Sequence, residues 1–77
     1  MNRNEITVSF ADLSDQADQY NRSTPGRRFF PMTSYRGGRL HEFGMYDGER
    51  KKYVLAEINS REAAERLVEI RDMLRKA

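Results

Sequence analysis

The chain has no cysteine and no tryptophan, and it carries one histidine and two prolines in 77 residues. Without cysteine there are no disulfides and no thiolate metal sites. One histidine cannot supply the several imidazoles of a histidine zinc site. No run of 18 apolar residues is present, so no helical membrane span is expected. The opening stretch MNRNEITVSF has no apolar core of the kind that a secretory signal carries, and a cytoplasmic location is expected.

Size narrows the options further. A chain of 77 residues is expected to form one domain, residues 1–77. Such a domain buries only about 60% of its unfolded surface, so its stability margin is small. Disulfides and thiolate metal sites being excluded, stability must come from ordinary packing, self-association or a partner.

Charge is present but unevenly placed. The net value is +2. Residues 1–21 set Arg3 against Glu5, Asp12, Asp15 and Asp18. Residues 22–52 set eight lysines and arginines against Glu42, Asp47 and Glu49, while residues 53–77 balance. The middle of the chain is therefore the basic part, which bears on partners and encounter rates more than on fold.

Alternation of Ile6, Val8 and Phe10 with polar neighbours predicts a half-buried strand. Asp12 then caps a short helix of about two turns, with Leu13, Ala17 and Tyr20 on one face. NRSTPG, Asn21 to Gly26, is a breaker cluster with a turn at Pro25-Gly26. Arg28 to Tyr35 reads as a strand that Pro31 confines to a sheet edge, and Gly37-Gly38 reads as the next turn. The clearest signal is a hairpin, Leu40–Tyr46 and Lys51–Ile58, around Asp47-Gly48. His41, Phe43 and Met45 share one face with Val54, Ala56 and Ile58. Leu40, Glu42 and Tyr46 share the other with Tyr53, Leu55 and Glu57. Asn59 or Ser60 caps a last helix, with Glu62 completing a capping box. Its apolar stripe is Ala63, Leu67, Ile70 and Leu74, flanked by Ala64, Val68 and Met73. Arg61–Glu65, Glu62–Arg66 and Asp72–Lys76 are i,i+4 pairs on its wet face. The fold class expected is α+β: an antiparallel sheet of three or four strands with the C-terminal amphipathic helix on one face.

Catalytic inventory is thin. His41 and Glu42 are neighbours, but successive strand residues point to opposite faces, so no acid–base pair is expected there. Asp12, Asp15 and Asp18 drift around a helix and no glycine-centred calcium loop follows. YRGGR, Tyr35 to Arg39, fits neither phosphate-binding glycine motif. The chain is expected to be no enzyme and to use no cofactor and no metal.

The informative stretch is RRFFPMTSYRGGRLHEFGMY, Arg27 to Tyr46, which interleaves arginines with aromatics. Arginine neutralises phosphate and aromatic rings stack on bases. Arginine, tyrosine and methionine are equally enriched at protein interfaces. With the basic hairpin tip, the candidate partner-binding residues are Arg27, Arg28, Tyr35, Arg36, Arg39, Tyr46, Arg50, Lys51, Lys52 and Tyr53. One helix covers one face of a sheet. The other face would show Leu40, Tyr46, Tyr53 and Leu55 to water, and patches of that kind usually bind something.

YDGERKKYVLAEINSREAAERL, Tyr46 to Leu67, resembles the strand–turn–strand–helix end of arm-type DNA-binding domains of phage-type integrases. Both place a charged hairpin turn before a capped helix, here opened by Glu62-Ala63. The resemblance implies DNA binding. The order helix–strand–strand–strand–helix is also similar to a double-stranded-RNA-binding domain, although the basic helix start of that family is missing here. In size and plan the chain resembles small phage-encoded inhibitors, anti-CRISPR proteins among them.

The function expected is thus a small binding protein that occupies a macromolecular partner's surface, the partner a protein or a protein–nucleic-acid complex. A nucleic-acid-binding module using the basic residues of 27–52 and a homo-oligomeric structural subunit, a homodimer in the simplest case, are the alternatives.

Overall fold

Ser9 opens the first helix. Its hydroxyl accepts the Ala11 N–H at 3.2 Å and its carbonyl accepts the Leu13 N–H at 3.1 Å, which satisfies backbone donors that a helix start leaves over. The computed structural model describes residues 9–77. Its elements run α1 (Phe10–Ser23), β1 (Phe29–Arg36), β2 (Arg39–Asp47), β3 (Lys52–Glu57) and α2 (Ala63–Arg75). The strand expected over Ile6–Phe10 falls mostly outside the described residues. Phe10 is helical, so α1 starts earlier and is twice as long as its apolar spacing alone predicted. Leu13 and Ala17 are buried and Tyr20 packs against them, as the spacing required. The helix stops where Thr24 folds back, its hydroxyl donating to the Tyr20 carbonyl at 2.7 Å just before Pro25.

The three strands form one antiparallel sheet in the order β1-β2-β3. Gly37-Gly38 makes the first turn, both at positive φ (58° and 77°), which a tight two-residue hairpin requires. The second turn has four residues, Gly48 to Lys51, between the paired Asp47 and Lys52. Its mechanism differs from the Asp-Gly expectation. Asp47 ends β2 and its carboxylate accepts the N–H groups of Glu49 and Arg50, while Lys51 takes the left-handed conformation at φ 56°.

Register puts Phe29, Phe43, Met45, Val54 and Ala56 on one face, all buried. Both helices lie on that face: Leu13 and Ala17 from α1 join Ile70, Met73 and Leu74 from α2 in one core with Phe29, Phe43, Met45 and Val54. Pro31 sits on the edge strand β1, where its missing donor is tolerated.

Three expectations give way in the structure. A bulge shifts the β1–β2 register: Ser34 pairs with Glu42 but Tyr35 pairs with Leu40, so His41 is an extra residue. The insertion turns Leu40 to the helix side, where it packs against the core rather than on the open face. At the α2 start, Ser60 does not cap the helix. Its hydroxyl donates to the Glu57 carbonyl at 2.7 Å, and the helix begins after Glu62 with no side-chain cap. The ion pairs that form near α2 are Arg66–Glu69 at 3.1 Å, Lys52–Glu69 at 3.5 Å and Arg71–Asp72 at 3.6 Å, in place of the i,i+4 pairs expected. Exposed pairs of this kind stabilise little, so the buried stripe holds the helix.

Phe43 sits at the centre of the packed face, 6.0 Å from the Phe10 ring between centroids. Phe43→Ala is expected to destabilise the domain by about 3–5 kcal/mol in chemical denaturation. Met32→Ala, on the opposite face, should shift the same transition by under about 0.5 kcal/mol.

Candidate interaction face

The sequence candidates do not fall on one surface. Arg28 is the clearest departure. Its guanidinium grips the fully buried Asp47 carboxylate with two hydrogen bonds, Nε at 2.9 Å and Nη2 at 3.0 Å. Nη1 reaches the Tyr20 hydroxyl and the Glu49 carboxylate, each at 3.1 Å, and the guanidinium lies against the Phe29 ring. Asn21 completes the joint: its side-chain oxygen accepts the Arg28 and Phe29 N–H groups and its amide donates to the Phe29 carbonyl. Every one of these partners is internal, so Arg28 serves the corner between α1, β1 and the second hairpin.

Burial alone would push the Asp47 carboxyl up. The Arg28 hydrogen bonds and the Arg50 and Glu49 N–H groups outweigh that and hold it below its ordinary value. The same hydrogen bond to Asp47 raises Arg28, against its own desolvation.

The basic residues separate into two ends. Arg36 pairs with Arg39 beside the first hairpin turn, close to the exposed Tyr35. Arg50, Lys51 and Lys52 lie at the second turn, the length of β2 away, which is about 25 Å at the usual strand rise. Arg50 donates to the Lys76 carbonyl at 3.3 Å and Lys52 pairs with Glu69, so both lean toward α2.

What the fold does bring together is the sheet face away from the helices. Phe30, Tyr46 and Tyr53 are cross-strand neighbours, followed by Met32, Gly44 and Leu55. Phe30 and Tyr46 stand 6.2 Å apart between ring centroids, and the Arg27 guanidinium lies 5.0 Å from the Phe30 ring centre. The Tyr53 ring lies flat across Gly44: a methyl there would come within 2.8 Å of two of its ring carbons. Glycine at 44 therefore leaves the room in which the tyrosine ring rests on the sheet. No described element covers this face. Of the sequence candidates it contains Tyr46 and Tyr53, with Arg27 at its margin. Leu55 lies on it as its alternation predicted, and the face adds Phe30 and Met32, which the alternation around Pro31 had left unassigned.

Beyond Leu55 the next cross-strand step pairs Glu42 with Glu57. The bulge overturns the expectation that His41 and Glu42 diverge. A ring nitrogen of His41 and carboxylate oxygens of Glu42 and Glu57 all lie within 4.8 Å of one another. The sequence put Glu42 and Glu57 on one face, and the four-residue turn between Asp47 and Lys52 makes them direct partners. The inserted residue that brings His41 to them was not legible.

Comparison with protein-family models, with curated proteins and with solved structures gives no match.

Because Asp47 has a lower pKa folded than unfolded, the unfolded chain takes up its proton first on acidification. The stabilisation is complete above the ordinary carboxylate value, about 4, and is lost as pH falls through the depressed folded value. Asp47→Asn should therefore lose about 3 kcal/mol at neutral pH, and its stability should fall less steeply than wild type in the acid limb of a pH-dependent denaturation series.

Proposed function

We propose that this chain is a binding protein without chemistry of its own, which docks the open face of its sheet on a protein partner and acts by occupying that partner's surface. The observation that carries this reading is the aromatic and aliphatic face, left open by the described elements, formed by Phe30, Met32, Tyr46, Tyr53 and Leu55, with Met32 55% and Tyr53 46% exposed. An apolar centre with Arg27 at one margin and Glu42 and Glu57 at another has the anatomy of a protein interface.

Charge placement favours protein over nucleic acid. Two carboxylates, Glu42 and Glu57, stand on the face and would repel a phosphate backbone. The arginine and lysine pairs that would attract one sit at opposite ends of the sheet and partly engage α2. The face spans roughly 300 Å2 at usual strand spacings. Stable complexes bury about 800 Å2 per partner, so Arg27 and the Arg36–Arg39 turn belong to the contact as its rim. Occupancy of this sort is also how a small phage inhibitor would disable a host complex.

Leu55→Arg tests the reading, because Leu55 lies on this face of the edge strand β3, beside Gly44, and is 39% exposed. Affinity capture from nuclease-treated bacterial lysate should recover a defined protein with wild type and lose it at least tenfold with Leu55→Arg, about 1.4 kcal/mol. The thermal transition of the variant should match wild type. Capture seen only when the nuclease is omitted, or equal capture by both chains, would overturn it.

A further inference from the structure

We propose that His41, Glu42 and Glu57 bind a divalent first-row transition ion, with Zn2+ as the representative. This goes beyond the docking reading and stands or falls without it, since the ion would bind the free chain.

Three observations converge. The first is distance. The three donor atoms lie within 4.8 Å of one another, and an ion with bonds of about 2.1 Å draws its ligands to roughly 3.4 Å apart. Glu57 is exposed and Glu42 half-buried, so rotation of two flexible side chains closes the gap.

The second is electrostatic. Glu42 and Glu57 are direct cross-strand partners, and like charges so placed destabilise a sheet. The described lysines and arginines make their ion pairs elsewhere: with Asp47, Glu49, Glu69 and Asp72. A cation between the two carboxylates converts their repulsion into attraction.

The third is positioning. The bulge inserts His41 into a strand that would otherwise carry it away from Glu42. Its carbonyl is held by the Ile58 N–H at 2.9 Å, just past β3, which anchors the backbone from which the imidazole projects. Bulges recur where a side chain must be re-aimed.

One imidazole and two carboxylates make a mixed nitrogen–oxygen set. Magnesium and calcium prefer all-oxygen shells, and soft ions need the thiolates this chain lacks. Zinc, cobalt, nickel and manganese fit. Three protein donors leave at least one coordination position open to solvent or to an added ligand.

The full chain, stripped with chelator, is titrated with zinc chloride by calorimetry and with cobalt chloride by visible absorption. One zinc per chain is expected, with a cobalt spectrum that zinc displaces and a thermal transition raised by zinc. His41→Ala and Glu57→Gln should each weaken binding by at least tenfold, because loss of a supporting contact alone costs about that much. Asp15→Asn, on the acidic face of α1, should leave binding unchanged. Glu57→Gln keeps the side-chain shape at an exposed site, and Glu42→Gln serves as a second variant should it fail to fold. No binding up to millimolar zinc, or equal binding by wild type and the glutamine variant, would overturn the assignment.

Discussion

A buried carboxylate sets the register of this small sheet. Asp47 has no exposure to water, and leaving its charge there unmatched would cost several kcal/mol. Four donors meet it: two from Arg28 and the N–H groups of Glu49 and Arg50. These come from the residue before β1 and from the turn after β2, so the bonds exist only when Phe29 pairs with Asp47. A slip of one residue would strand the charge and also exchange the two faces of β1. Arg28 in turn leans on Tyr20, and Asn21 holds the backbone of Arg28 and Phe29. The end of α1, the start of β1 and the second hairpin are thus one joint. Replacing such a pair with apolar residues often costs nothing. Its contribution is best understood as specifying one arrangement among those a small apolar core would accept.

That arrangement has a consequence for the sheet. The joint ties α1 to the β1 edge on the same side as α2, whose main sheet contact is with β3. Two helices side by side cover the centre of one face, and Phe29, Phe43 and Met45 have no exposure. Neither helix reaches the other face. The apolar residues there are not arranged as a second core: Tyr53 lies over Gly44 and Phe30 is covered on one side by Arg27. Aromatic rings laid flat on a sheet expose broad, rigid surface with little side-chain freedom left to lose. Such surface favours association, which is why the face and not the basic hairpin tips carries the functional reading.

Much of this plan was legible from residue spacing. The second hairpin, its face assignment and the buried stripe of α2 follow from period two and period 3.6. Pro31 correctly put β1 at an edge. Legibility failed where side chains act on the backbone at a distance. Asp47-Gly48 looked like a glycine-driven turn, whereas the aspartate side chain organises the loop. Ser60 looked like a cap, but its hydroxyl found the Glu57 carbonyl first. Arg28 looked like surface charge, because its partner lies 19 residues away in sequence and sequence shows charge without showing burial. The length of α1 was underestimated because Phe10 fits an alternating strand as well as it fits the first turn of a helix capped by Ser9.

The bulge at His41 is the least visible feature and links the rest. Alternation assumes one residue per step, so a single insertion reverses every assignment beyond it. Here that reversal sends Leu40 inward to cover the end of the core. It also ends the apolar outer face, since the last regular cross-strand step before it is the Glu42–Glu57 pair. One added residue therefore closes the packed side and bounds the open side at the same level of the sheet. A strand without the insertion would have placed Leu40 on the outer surface, extending the apolar patch, and left the core short of a side chain. The same insertion sets the histidine among the carboxylates at the level where the hydrophobic pattern changes sides.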